Sequence, residues 1–122
     1  MAAGLATLRL LDAAAYARLE ALGARLEAGL ARAARDTGVT AHVQRVASLL
    51  TLFFAQGPIR NEDDARTADR ALFARFHGAM LARGVLLPPS QLECLFLSLA
   101  HTGEDVDAIT SAAAGALRQL AA

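Results

Sequence analysis

Lysine and tryptophan are absent from this sequence of 122 residues, and all twelve of its basic residues are arginine. Without lysine, the chain has no side-chain amine for covalent chemistry, because an arginine guanidinium stays protonated and is not a working nucleophile. The single cysteine, Cys94, excludes an internal disulfide and is typical of a reducing compartment. At this length we expect one domain, residues 1–122, with a core that needs no disulfide or metal.

Net charge and long apolar runs are missing as well. Twelve arginines balance twelve acidic residues, so the chain lacks the basic surface that favours binding to nucleic acid or to an anionic membrane. No uncharged apolar run reaches the roughly 18 residues of a membrane span. Arg9 and Asp12 interrupt the apolar N-terminus, which has neither the basic region nor the cleavage site of a secretory signal. We therefore expect a cytoplasmic location.

Periodic apolar residues predict four helices, over residues 2–11, 12–37, 61–83 and 102–120. The second is the most strongly marked, because its larger apolar side chains recur every three or four residues and Gly38 follows as a typical C-cap. These side chains are Tyr16, Leu19, Leu22, Leu26 and Leu30. The third helix is expected to begin at Asn61 or Asp63, and a capping box of Thr102 and Asp105 marks the start of the fourth.

Four short apolar runs predict strands, over residues 41–46, 49–55, 85–87 and 94–99. The first two are rich in β-branched and aromatic residues and meet at a tight turn or bulge at Ala47-Ser48. Pro88-Pro89 ends the third. The order of elements predicts an α+β fold, in which helices cover one side of a small, mostly antiparallel sheet.

The three histidines show no metal-binding pattern. His42, His77 and His101 are too far apart to pair on one helix face, and no cysteine lies near them in spacing. We interpret His42 and His77 as surface or partly buried residues, and His101 as a residue that shapes the entry to the last helix. Cys94 lies in an apolar run and is expected to be a small buried side chain. We predict no metal site and no catalytic residue in this chain.

Glu93 is the most informative charged residue. It lies between a Pro-Pro-Ser loop and six largely apolar residues, so its carboxylate marks either the exposed start of a strand or the rim of a site. A buried, unpaired carboxylate would be costly, and a functional one therefore needs a cationic partner. The pattern by itself leaves both interpretations open.

The first predicted helix, residues 2–11, is apolar on several faces and has no upstream cap. A helix of this kind usually packs against a partner. We therefore expect that the natural chain continues upstream of Met1.

Two motifs carry a resemblance to a known family. The sequence LPPSQLE at residues 87–93, followed by SLAHTGEDVD at residues 98–107, resembles the C-terminal region of the glutamate-1-semialdehyde 2,1-aminomutase family, which carries PPSQFE and then SLAHTEEDID. Further similar stretches occur in the same order along nearly the whole chain. This sequence departs from the family at Ala47–Leu50, where Gly-Ser-Met-Phe is common, so we expect the bend between the strands to differ there.

The resemblance implies a C-terminal small domain of a fold-type-I enzyme that uses pyridoxal phosphate and pyridoxamine phosphate. Such an enzyme moves an amino group within glutamate-1-semialdehyde to give 5-aminolevulinate, a step towards tetrapyrroles. The implied partners are the enzyme's own large domain, a second subunit of a homodimer and the small-molecule substrate. A lysine holds the cofactor in this family. Because this chain has none, that lysine is expected upstream of Met1, and the chain alone is expected to bind no cofactor and to be inactive.

The resemblance also gives Glu93 a role. Related transaminases use an arginine of this domain to bind a substrate carboxylate, whereas the aminomutases have a glutamate near that place, which matches Glu93. A carboxylate attracts the ammonium group of a diamino intermediate and repels the carboxylate of an ordinary amino acid. Ser90 and Gln91 adjoin it and are candidate substrate-binding residues, with loop geometry as the open alternative.

Two other functions remain possible from the sequence. The chain could be the same domain of another class III aminotransferase, or a stand-alone, non-catalytic interaction domain. We also expect an exposed apolar face where the large domain normally packs, through which the chain would self-associate.

Overall fold

The computed structural model describes residues 1–122, and its elements follow the predicted α+β pattern with two changes. The helices are α1 (Ala2–Leu10), α2 (Ala13–Thr37), α3 (Glu62–Arg66), α4 (Arg70–Leu81) and α5 (Gly103–Ala121). The strands are β1 (His42–Val46), β2 (Leu49–Phe53) and β3 (Leu95–Phe96). They form one antiparallel sheet in the order β1-β2-β3, which confirms the predicted fold class.

The core lies between the helices and one face of the sheet. Leu50 and Leu52 of β2 are buried in it, whereas Leu49 and Thr51 alternate to the other face and are only partly covered. Helix α2 packs along α5, and α4 packs against α5. Five large side chains are completely or almost completely buried: Phe76, Leu50, Met80, Leu117 and Val106.

The bend between β1 and β2 was predicted correctly, and it lies directly against α2. Val46 pairs with Leu49, so Ala47 and Ser48 form the turn, and Ala47 has a positive φ of 52°. A Cβ atom on Gly23 of α2 would lie 2.1 Å from the carbonyl oxygen of Ala47. Only glycine therefore permits this close approach of helix and turn.

Arg45 reinforces the same contact. Its guanidinium donates to Glu27 at 2.6 Å and to Glu20 at 2.8 Å, both on α2, and also to the Ala47 carbonyl oxygen at 2.8 Å. The hydrogen bonds to Glu27 and then Glu20 raise the pKa of Arg45 above its ordinary value. Strand β1 is thus joined to α2 by charge as well as by packing.

The predicted helix over residues 61–83 was wrong, because the chain forms two helices there. Asn61 caps α3, and Asp69 caps α4 by accepting from the Leu72 N–H at 2.9 Å. The N–H of Asp69 donates to the carbonyl oxygen of Phe54 at 3.0 Å. A local cap and a long-range backbone bond together interrupt the helix between Arg66 and Arg70.

The last two predicted strands were also wrong in extent. Residues 85–87 form no strand, since the N–H of Val85 closes the end of α4 on Met80 and the two prolines that follow cannot donate to a ladder. The run 94–99 contributes only β3, because Leu97 still bonds to Ser48 but Ser98 then turns towards His101.

Apolar surface stays exposed at Tyr16 and along helix α1. Tyr16, predicted to share the inner face of α2, is 57% exposed, whereas the four leucines of that face are buried. Helix α1 has no buried residue, and Leu8 and Leu10 are largely exposed. No helix combines the length and the apolar character needed to cross a membrane.

Ala47→Gly is expected to raise the free energy of unfolding by about 0.5–1 kcal/mol. Relief of the left-handed backbone conformation contributes about 1–2 kcal/mol, and the added freedom of the unfolded chain offsets part of it. The control is Gly38→Ala, where φ is +70° and no neighbouring atom would touch the new methyl group. That variant should be destabilised. Urea denaturation measures both, and changes of the same sign would contradict this account.

Asp105→Asn is expected to lower stability at neutral pH and to flatten its acid dependence. Asp105 accepts from the backbone N–H of Thr102 at 2.7 Å and from its hydroxyl at 2.8 Å, and these bonds lower the pKa of Asp105. Because the folded pKa is the lower one, this stabilisation is complete above the unfolded pKa, near 4, and is lost as pH falls through the folded pKa. Denaturation at neutral and acid pH tests this, with Glu104→Gln in the same helical turn as the control.

Candidate functional site

The loop Leu87–Glu93, here called the site loop, holds all three predicted site residues. It connects the end of α4 with β3 and has no regular secondary structure. Its position is fixed by hydrogen bonds to α4, to β2, and to the segments that follow β2 and precede α4.

Ser90 builds a turn. Its carbonyl oxygen accepts from the N–H of Glu93 at 3.1 Å, and its hydroxyl oxygen accepts from the N–H of Leu92 at 3.1 Å. The carbonyl and hydroxyl oxygens of Ser90 therefore both accept hydrogen bonds within the loop itself. The turn reverses the chain and delivers Glu93 to the edge of the sheet.

Gln91 is inside the fold, with only 3% of its surface exposed. Its Nε2 donates to the carbonyl oxygen of Ala68 at 3.2 Å, and its Oε1 accepts from the N–H of Phe54 at 3.4 Å. One buried amide thus joins the site loop to the end of β2 and to the junction between α3 and α4. In this arrangement both ends of the amide already have partners.

Glu93 is exposed at the rim of the sheet. Its carbonyl oxygen accepts from Thr51 Oγ1 of β2 at 3.3 Å, which holds its backbone. The chain forms four ion pairs, and none of them includes Glu93. The backbone of Glu93 is therefore held in place, and its carboxylate is open to a cation from outside the chain.

The cavity that Glu93 borders is too small for a substrate. It measures about 20 Å³, enough for about one water molecule, and most of the side chains that line it are apolar. Glu93 and Gln91 border it together with Leu52, Phe76 and Met80. What this chain offers is an exposed carboxylate on a fixed stretch of backbone, without an enclosed pocket around it.

The remaining candidates, His101 and Cys94, form no group with the Glu93 carboxylate that could bind a metal ion. His101 accepts from the Ser98 N–H at 3.1 Å just before α5, which fits its interpretation as a residue that shapes the helix entry. Cys94 is only partly buried and lies 3.8 Å from Thr51 Oγ1. No group of three or more histidine, cysteine or acidic side chains is close enough to hold a metal ion.

Sequence reasoning missed one residue at this site. His77, on α4, lies with its Nε2 3.0 Å from the carbonyl oxygen of Leu87, where the site loop begins. The bond links residues ten positions apart, and no helical or strand periodicity marks it. The nearest signal in the sequence is the pair of prolines after Leu87, because these two loop residues have no N–H to donate.

The chain is similar in sequence to known enzymes over nearly its whole length. No family model matches the chain. Glutamate-1-semialdehyde 2,1-aminomutase from Thermomicrobium roseum is 52% identical over 99% of the chain, and that from Sorangium cellulosum is 55% identical over 94%. The chain spans about a quarter of the length of these curated relatives, 28% and 26% respectively.

Solved structures agree on the fold. An omega-transaminase from Sphaerobacter thermophilus superposes with a TM-score of 0.82 at 30% identity, covering 97% of this chain and 27% of that protein. A glutamate-1-semialdehyde-aminomutase from Pseudomonas aeruginosa gives a TM-score of 0.80 at 28% identity, covering 89% of this chain and 24% of that protein. The Pseudomonas enzyme has also been solved in complex with PMP.

Proposed function

This chain is related to the glutamate-1-semialdehyde 2,1-aminomutases over nearly its whole length, and from that relationship we propose that it supplies the C-terminal small domain of such an enzyme. In this role it contributes one wall of the substrate pocket to a reaction that converts glutamate-1-semialdehyde into 5-aminolevulinate. The rest of the pocket belongs to a large domain and a second subunit that this chain does not contain.

The exposed carboxylate of Glu93 is the observation that carries the proposal. Its backbone is bonded on both sides, to Ser90 and to Thr51, while the carboxylate enters no ion pair in the chain. A carboxylate placed in this way attracts an ammonium group and repels a second carboxylate. That preference suits a reaction whose intermediate carries two amino groups at once, and it disfavours ordinary amino acids.

The residues of this chain do not fit the role of a cofactor anchor. Pyridoxal phosphate supplies the electron-withdrawing chemistry of such enzymes when it is bound, and an enzyme lysine holds it covalently. The chain contains no lysine. We therefore assign the covalent anchor to the large domain and give this chain no step in the chemistry of the cofactor. Ser90 and Gln91, whose polar groups are used within the fold, are assigned to shaping the site loop.

A chimera tests the proposal directly. The C-terminal quarter of the Thermomicrobium roseum enzyme would be replaced by this chain, and conversion of glutamate-1-semialdehyde to 5-aminolevulinate would be measured. We expect an active chimera, whereas the truncated Thermomicrobium enzyme and this chain should each be inactive alone. A folded chimera that binds pyridoxal phosphate but makes no 5-aminolevulinate would refute the proposal.

The same chimera distinguishes the nearest alternative. The similarity to an omega-transaminase at a TM-score of 0.82 favours, as a second candidate, the small domain of another class III aminotransferase. That candidate predicts amino transfer from an external amine to a keto acid. Activity with such donors in place of the semialdehyde would select it.

An apolar row on the outer face of the sheet supports self-association of the isolated chain. Val46, Leu49 and Phe96 are register neighbours across the three strands, and Val46 and Phe96 are 73% and 69% exposed. Exposed apolar patches of this kind usually mark interaction surfaces. Phe96→Asp should therefore shift the chain towards monomer in sedimentation experiments, and Leu86→Asp, at an exposed loop leucine, is the control. A chain that is strictly monomeric at high concentration would contradict this, and it would also remove the support for a stand-alone interaction domain.

We also propose a cytoplasmic location. The single cysteine is free and forms no disulfide within the chain. This fits a reducing compartment. Fluorescence microscopy of the tagged protein in its host would test it.

A further inference from the structure

His77 connects helix α4 to the first residue of the site loop. Its Nε2 lies 3.0 Å from the carbonyl oxygen of Leu87, and the carbonyl can only accept, so Nε2 carries the proton. The ring is half-buried and packs against Phe73 at a centroid distance of 6.3 Å. The imidazole is therefore held from one side by the helix and bonded to the loop on the other.

This bond lies at the point where the loop has least support of its own. Pro88 and Pro89 follow Leu87 directly and provide no N–H groups. Downstream, the loop is held by Gln91 to Ala68 and Phe54, and by Thr51 to Glu93. His77 thus fixes the upstream end of the loop, and the three bonds of Gln91 and Glu93 fix the downstream end.

We propose that His77 is a positioning residue for Glu93: by holding Leu87 it sets the direction in which the site loop presents the Glu93 carboxylate. This inference rests on the proposed function, because the carboxylate matters for turnover only if the chain is part of an aminomutase. Its structural half, the ordering of the loop, can be measured without turnover. The effect is indirect, since His77 bonds to Leu87 and not to Glu93.

Two substitutions separate the hydrogen bond from the packing of the ring. His77→Phe keeps an aromatic ring against Phe73 but removes the donor, whereas His77→Gln places an amide nitrogen near the position of Nε2. In the active chimera, His77→Phe should lower kcat/KM about fivefold to tenfold, the rate equivalent of about one hydrogen bond. His77→Gln should recover most of that loss. Equal activity of the wild-type and His77→Phe chimeras would overturn the inference, as would equal losses in the two variants.

A double-mutant cycle tests whether His77 acts through Glu93. If it does, His77→Phe should cost little further activity in a Glu93→Gln background, because the group it positions is already gone. A purely structural role predicts the same fold-loss in both backgrounds, and that result would overturn the inference. Should His77→Phe not fold, His77→Asn replaces it in the cycle, since its shorter amide does not reach Leu87.

The ordering of the site loop is measured on the isolated chain, without turnover. Nitrogen-15 relaxation of the Leu92 and Glu93 amides should show larger fast motions in His77→Phe than in wild type, while amides in α2 and α5 stay unchanged. Unchanged motion at Leu92 and Glu93 would overturn the positioning role. An inactive wild-type chimera would instead count against the proposed function, so the two failures are distinguishable.

Discussion

Glu93→Gln is expected to lower aminomutase turnover of the chimera about a hundredfold. The substitution keeps the size of the side chain and removes its charge, so it tests attraction to an ammonium group and little else. Two unit charges about 4 Å apart interact by about 4 kcal/mol near a protein surface, and partial exposure of the pair reduces this to the equivalent of about a hundredfold in rate. Steady-state kinetics with glutamate-1-semialdehyde would measure the effect.

The matched control is Asp63→Asn, which removes an exposed carboxylate in the first turn of α3, away from the site loop. Its turnover should equal that of the unsubstituted chimera. Glu93→Arg, which reverses the charge, should abolish the reaction, because it repels the ammonium group. Unchanged turnover in Glu93→Gln would remove Glu93 from the mechanism and would leave only sequence similarity in support of the proposed function.

Gly23→Ala is expected to destabilise the chain by about 3 kcal/mol, the largest effect we predict for a single methyl group. The new Cβ would lie 2.1 Å from the backbone oxygen of Ala47 and 3.3 Å from the Cα of Ser48. Backbone atoms cannot rotate away as the end of a side chain can, so helix α2 and the β1–β2 turn must separate. The free energy of unfolding from urea denaturation measures the loss.

Gly78→Ala is the control for helix propensity. Gly78 lies inside α4, and a methyl group added there would meet no neighbouring atom. Alanine favours a helix interior over glycine by up to about 1 kcal/mol, so this variant should gain stability. Similar changes in the two variants would show that the close approach of α2 and the turn does not limit stability.

The destabilised turn would also affect the site. Ser48, which follows Ala47, accepts from the N–H of Leu97 at 3.1 Å, just beyond β3. Displacement of the turn would therefore also displace β3, the strand that follows Glu93. We expect weaker ordering of the site loop in Gly23→Ala than in Gly78→Ala, measurable by the same amide relaxation experiment as for His77.

The parts of the fold that were predicted correctly are those governed by local rules. Helices α2 and α5 follow from apolar spacing and from caps at Gly38 and Thr102, and both caps are present. The bend at Ala47-Ser48 was predicted because the two runs that flank it are rich in β-branched and aromatic residues. The resemblance of residues 87–93 to one enzyme family singled out Ser90, Gln91 and Glu93, and their part in binding a substrate stays a prediction.

Where prediction failed, contacts between distant residues determined the structure. The interruption before α4 depends on Asp69 bonding to Phe54, and the loss of a strand at residues 85–87 depends on how the chain leaves α4. The role of Gln91 stayed open because its partners, Ala68 and Phe54, are far away in sequence and are backbone atoms. A bond to a backbone atom does not depend on the identity of the partner residue, so the sequence does not reveal it. His77 was missed for the same reason.

All the anchors of the site loop belong to this chain, and this bears on how the domain could move. Because α4, β2 and the junction before α4 hold the loop, a rotation of the domain as a rigid body would carry Glu93 along without reorienting it relative to the sheet. Such a rotation would bring the negative charge towards a ligand or withdraw it, with no rearrangement inside the loop.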